Sequence, residues 1–149
     1  MEYFSFMTPL GRMTGKVDQG LCLLDLREDT YPAPCCGLAR EVERQVREYF
    51  EGKRRVFDLP LQTIGTEFQQ RVWQALRGIP WGEVRTYAQV AEQIGCPGGA
   101  RAVGNACGKN PVLIVTPCHR VLGGKDLGGF RCGPQVKSAL LRLEGYGTA

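Results

Sequence analysis

Apolar residues recur at several spacings along the chain, and each spacing predicts a different element. Residues 1–30 read as short strands. The clearest is Gly20-Leu21-Cys22-Leu23-Leu24-Asp25-Leu26, an apolar run bounded by turn-forming residues, which predicts a buried strand. Tyr31-Pro32-Ala33-Pro34 breaks it. Leu38, Val42, Val46 and Phe50 recur every four residues with charges between them, an amphipathic helix ended at Gly52. A basic turn, the strand Val56-Phe57-Asp58-Leu59 and a linker are expected next, with a domain boundary between residues 62 and 63.

Beyond that boundary the spacing turns helical. Thr66 with Gln69 resembles a capping box that opens a helix through Phe68, Val72, Trp73 and Leu76, stopped by Gly78 and Pro80. After a turn at Trp81-Gly82-Glu83-Val84, Thr86 caps a helix from Tyr87 to Ile94 with Ala88, Ala91 and Ile94 on one face. Gly95 to Gly99 connects it to a short helix from Ala100 to Cys107, closed by Gly108, and the pair fits a helix-turn-helix. Ala100, Ala102, Gly104, Ala106 and Gly108 are all small, which suits either close approach to a groove or tight helix packing. Pro111 to Pro117 reads as buried extended chain that delivers Cys118-His119-Arg120-Val121. A glycine-rich loop, Gly123 to Gly133, precedes a last helix, Lys137 to Glu144, with Ala139, Leu140, Leu141 and Leu143. The fold class expected is α/β (α+β): a small N-terminal α/β domain with a short sheet over 1–62, then a mainly helical domain over 63–149.

Composition narrows the function classes. The chain has 149 residues, 43% hydrophobic and 23% charged, and no apolar run approaches membrane-spanning length. Met1 to Met13 lacks a basic start and a sustained apolar stretch, so no secretory signal is expected and the cytoplasm is the expected location. Residues 63–149 carry ten Lys/Arg against five Asp/Glu, a net +5 that leaves −1 for residues 1–62 out of the total of +4, and this basic half suits a polyanionic partner. Seven cysteines include no C-x-x-C pair, and a single histidine, His119, argues against a zinc site. Most of these thiols read as small buried hydrophobes.

Cys118-His119 is the exception. A reactive cysteine must become a thiolate, and a neighbouring base or cation makes that possible. The pair follows a proline-flanked apolar segment, precedes a glycine-rich loop that could open for a substrate, and includes the chain's one histidine; Glu144 could orient the imidazole.

The segments Gly65-Thr66-Glu67-Phe68-Gln69-Gln70-Arg71-Val72-Trp73, Ile79-Pro80-Trp81-Gly82-Glu83-Val84-Arg85-Thr86-Tyr87, Ala100-Arg101-Ala102-Val103-Gly104, Lys109-Asn110-Pro111, Pro117-Cys118-His119-Arg120-Val121 and Leu140-Leu141 with Glu144-Gly145 resemble, in order, the O6-alkylguanine-DNA alkyltransferases. The resemblance covers residues 63–149 almost continuously. It implies a DNA-repair reagent that moves an alkyl group from O6 of guanine, or O4 of thymine, onto Cys118 once and irreversibly, with no metal or organic cofactor. The partner implied is double-stranded DNA containing O6-alkylguanine, and the state implied is monomeric. It assigns catalysis to Cys118, His119 (through a water), Glu144 and Asn110. Substrate binding falls to Tyr87, Val121, Phe130 and Arg131, and DNA binding to Thr86, Arg101, Ala102, Gly104 and Asn105. Arg101 would fill the stack after the guanine is flipped out, since a buried cysteine cannot reach a stacked base. Phe130 and Cys132 depart from the family pattern, and the loop Gly124-Lys125-Asp126-Leu127 is slightly short. Three other readings stand beside this one: a non-catalytic alkylguanine-binding protein that flags lesions, a thiol hydrolase that would turn over, and a sequence-specific regulator. The presence of Cys118 weighs against the first and the few base-reading side chains of 100–107 against the last.

Overall fold

The computed structural model describes residues 1–124 and 128–146. The chain divides into two compact units between Ile64 and Gly65.

In the first unit, β1 (Glu2–Thr8), β2 (Gly11–Val17) and β3 (Leu21–Leu26) form an antiparallel sheet in the order β1-β2-β3. Glu2 pairs with Val17 and Thr8 with Gly11, so a tight hairpin joins the first two strands. Gly15 lies flat under Phe4: an added Cβ would come within 2.3 Å of that ring, so only glycine lets the aromatic lie there. Helix α1 (Gly37–Phe50) buries Ala39, Val42, Gln45, Val46 and Tyr49. The buried stripe thus includes Gln45, a position that apolar spacing alone passes over.

Gln45 also explains why the expected strand at 56–59 does not form. Its Nε2 donates to the Asp58 carbonyl (3.0 Å) and its Oε1 accepts from the Asp58 N–H (2.9 Å), so a side chain takes the bonds a ladder would have used. Val56 points out, 77% exposed. Pairing moves downstream instead, where Leu61 bridges Leu21 in parallel.

The second unit holds α2 (Glu67–Arg77), α3 (Tyr87–Gln93), α4 (Ala100–Gly108) and α5 (Pro134–Leu143). Two complete capping boxes set the starts of α2 and α3: Thr66 with Gln69, and Thr86 with Gln89. The inward face of α3 is Val90 and Ala91; Ala88, expected inside, is exposed. Trp73 of α2 is buried and its Nε1 donates to the Ala106 carbonyl of α4 (2.9 Å), which ties the two helices at one polar point in an apolar contact. On α4 the inward residues are Val103, Ala106 and Cys107, while Arg101, Ala102 and Asn105 face out. Small residues therefore serve both sides of this helix.

The segment 111–117 is buried as expected but not extended. Val115 N–H donates to Leu113 O (2.8 Å) and Thr116 N–H to Val112 O (3.0 Å), folding it into a tight turn with Ile114 at φ 72°. A short 3₁₀ turn, Cys118–Arg120, follows, and β5 (Val121–Leu122) pairs in parallel with β4 (Arg85–Thr86). Of the loop expected to be short, Lys125, Asp126 and Leu127 lie outside the described residues. Among the described residues, no helix is long and apolar enough to cross a membrane.

Candidate active site

Asn110 sets the site's backbone. Fully buried after α4, its Nδ2 donates to Thr116 O (2.7 Å) while its Oδ1 accepts from Val112 N–H (3.0 Å). One amide therefore closes both ends of the turn that carries Ile114, and fixes the chain two residues before Cys118. Arg77 of α2 adds a second hold on that turn, donating to the Thr116 hydroxyl (2.9 Å).

Cys118 is 4% exposed and stands on the wall of a cavity of about 670 Å³. Tyr87, Arg101, Gly104, Asn105, Phe130 and Arg131 share that wall, so seven of the expected site residues meet at one concavity. Cys107 lines it as well. Burial raises the Cys118 thiol above its ordinary value, opposed by the Asn110 amide and by the charges of Arg131 and Lys137. Burial likewise pushes Cys107 up to about 12, so this second thiol stays protonated.

Next to Cys118 in the chain, His119 and Arg120 interlock with Glu144 from the end of α5. His119 Nε2 lies 2.8 Å from Glu144 Oε2. Arg120 approaches the same carboxylate through Nε (2.8 Å, to Oε1) and Nη2 (3.0 Å, to Oε2), and its Nη1 donates to Ile79 O (2.6 Å). A carboxylate this buried, 1% exposed, is stable when forked by a guanidinium, and Arg120 provides the fork. With Glu144 ionised, His119 Nε2 must be the N–H donor. The neutral ring then leaves Nδ1 as its basic nitrogen, and Nδ1 is buried with no hydrogen-bond partner among the described residues. Burial lowers the His119 pKa below its usual value, the Glu144 hydrogen bond opposing, which keeps the ring neutral and able to take a proton.

Lys137 is the residue that sequence reasoning missed. Its ammonium is fully buried, donating to Val121 O (2.6 Å) and Gly129 O (3.2 Å), and lies 5.7 Å from the Tyr87 ring centre. The Tyr87 hydroxyl donates to the same Gly129 carbonyl (3.2 Å). Gly128, at φ 72°, lets the loop pass over Tyr87; a Cβ there would meet the ring at 2.8 Å. A signal was present: Lys137, Leu140, Leu141 and Glu144 fall at the spacing of one buried helix face, with charges at its two ends.

The remaining expected residues stand off the cavity wall. The Val121 side chain is buried, and its carbonyl is the one Lys137 holds. Thr86 uses its hydroxyl to accept from Gln89 N–H (3.1 Å) as a helix cap. Ala102 is exposed beside Arg101 on α4. No group of three or more His, Cys, Asp or Glu among the described residues is arranged to hold a metal ion.

The chain is similar to known proteins over nearly its whole length. A family model described as 6-O-methylguanine DNA methyltransferase, DNA binding domain, matches residues 67–146. The methylated-DNA–protein-cysteine methyltransferase of Mycobacterium tuberculosis (strain ATCC 25618 / H37Rv) is 44% identical over 153 residues, spanning 97% of this chain and 92% of that one. That of Methanosarcina acetivorans is 50% identical over 107 residues, 71% of this chain and 69% of its own. The crystal structure of Mycobacterium tuberculosis OGT in complex with DNA superposes with a TM-score of 0.88 at 43% identity, over 97% of this chain and 92% of that one. A buried cysteine followed in the chain by a histidine paired with a carboxylate, within matches of this extent, leaves one assignment: the chain belongs to the methylated-DNA–protein-cysteine methyltransferase family.

Proposed function

We propose that this protein repairs DNA by transferring a methyl or other alkyl group from O6 of guanine, and from O4 of thymine, to Cys118 in a single irreversible turnover. The observation that carries the reading is Cys118 on the cavity wall, in one 3₁₀ turn with a buried His119 whose Nε2 meets Glu144. The resting thiol is protonated, because burial raises it, so attack requires that its proton leave. His119 Nδ1 takes that proton through a water, and Glu144, held by Arg120, fixes the ring for the task. The C–O6 bond breaks as the S–C bond forms, and guanine leaves with the electron pair. Tyr87 donates toward the departing base. A thioether does not hydrolyse, so the protein is consumed.

DNA is bound along α4, which with α3 serves as a helix-turn-helix. Its outward Arg101, Ala102 and Asn105, with Gly104 between them, lie in the minor groove, and Thr86 contributes from the start of α3. Arg101 fills the stack when the guanine turns out. Phe130 and Arg131 shape the receiving pocket, and Val121 supports it through the carbonyl that Lys137 holds. The protein acts as a monomer in the cytoplasm, a setting that suits seven cysteines outside any disulfide, and needs no cofactor.

Intact-mass measurement after incubation with a duplex containing O6-methylguanine tests this. One methyl per chain, mapped to Cys118, is expected, with Cys118→Ala binding DNA but gaining none. Repeated turnover by unmodified protein would overturn the reading.

A further inference from the structure

Charge on the cavity wall is one-sided. Two arginines, Arg101 and Arg131, line it beside Cys118, and no aspartate or glutamate does so among the described residues. Arg131 is fixed in place: its Nη1 donates to Gly108 O (3.3 Å) and Asn110 O (3.0 Å), at the carbonyl end of α4 where a cation is favoured. Asn110 is also the residue that anchors the turn before Cys118. Guanidinium and nucleophile are thus set from one stretch of backbone, and the Arg131 charge acts on the thiol in the direction of ionisation, against the larger opposing effect of burial.

A methyl group offers a cation at this wall nothing to pair with. An alkyl group bearing a carboxylate has, for two reasons. Its negative charge repels an incoming thiolate, which a nearby cation offsets. Its two oxygens also match the donor fork of a guanidinium.

We propose that Arg131 makes this pocket competent for anionic O6 adducts of guanine, with carboxymethyl as the type substrate, an inference that rests on the alkyl-transfer reading above. In the step, Cys118 sulfur forms a bond to the methylene carbon and the methylene–O6 bond breaks. Its electron pair passes to the base, which takes up a proton, and the thiol proton passes to His119. The product is S-carboxymethyl Cys118 and restored guanine, with the carboxylate paired to Arg131 throughout.

The test compares second-order transfer rates from duplexes carrying O6-carboxymethylguanine and O6-methylguanine, read as the ratio of the two. Taking the ratio removes any effect of Arg131 on thiol ionisation or on DNA affinity, which both substrates share. Arg131→Gln is expected to lower the ratio by roughly tenfold or more, the weight of a charge-assisted hydrogen bond, while Arg131→Lys retains most of it. Raising the salt concentration should lower the ratio in the wild-type protein more than in Arg131→Gln. An unchanged ratio in Arg131→Gln, including one in which both rates fall together as for a phosphate contact, overturns the inference. Methyl transfer without any carboxymethyl transfer in the wild type overturns it also. Loss of both in the wild type would instead sink alkyl transfer itself.

Discussion

The two units handle charge in opposite ways. In the first, ions reach water on α1: Arg44 pairs with Glu41 and Glu48, and Arg47 with Glu43, all at helical spacing, with exposed arginines and partly exposed glutamates. In the second, Glu144, His119, Arg120 and Lys137 are withdrawn almost wholly from solvent. Exposed pairs gain little, because water screens them and the side chains lose freedom. Buried ions cost desolvation and persist only when every partner is in place. A chain that buries three ions and a neutral imidazole near one cysteine has put its expensive electrostatics where chemistry needs fixed protons and fixed charge. Glu41 shows that a large shift is not the same as a large contribution. Hydrogen bonds from Arg44 and Gln45 hold its pKa down to about 2, yet the group is open to solvent.

Substitutions should reveal that contrast, beginning with the largest effect. Glu144→Ala leaves the Arg120 guanidinium buried without its carboxylate, and should cost about 3–5 kcal/mol in urea unfolding along with alkyl transfer. Lys137→Met keeps the volume but orphans the Val121 and Gly129 carbonyls, at about 1–3 kcal/mol, and should slow transfer by loosening the loop beside Tyr87. Removal of a neutral cap, Thr66→Ala, should cost about 1 kcal/mol. Arg44→Ala should leave the unfolding midpoint where it was; a shift as large as that of Lys137→Met would erase the distinction between the units.

Acid provides a further lever. Burial lowers the His119 pKa below its ordinary 6.5, so as pH falls through 6.5 the unfolded chain takes a proton that the folded chain refuses. Stability is fully present above 6.5 and declines below it. At the other end the raised thiols act in the reverse sense. Above pH 9.0 the unfolded Cys107 ionises while the folded one holds its proton up to about 12, so stability declines as pH rises through that window. Denaturant midpoints measured across pH should show both flanks. His119→Phe should flatten the acid flank and Cys107→Ala part of the alkaline one.

Much of this arrangement was legible in the sequence, for reasons that differ by element. Both capping residues, Thr66 and Thr86, announce helix starts because capping is local chemistry. Cys118 and His119 stand out because nucleophile and base are rare residue types placed together. The strand expected at 56–59 failed because Gln45, thirteen residues upstream, supplies the competing bonds, and no local pattern reports a distant side chain. The run 111–117 is apolar whether extended or turned, so composition could identify its burial but not its shape. Lys137 is hidden because a lysine in a helix is ordinarily solvated, although Lys137 and Glu144 flank Leu140 and Leu141 on the same buried face.

Ile114 has a left-handed φ of 72°, a conformation that a β-branched side chain adopts at a cost of about 1–3 kcal/mol and that the Asn110 amide holds in place. Most catalysts must return such a contorted loop to its starting form after every cycle. Here the sulfur, once capped, never acts again, so the contortion has to last only until the first lesion arrives. The loop is a fuse, not a hinge.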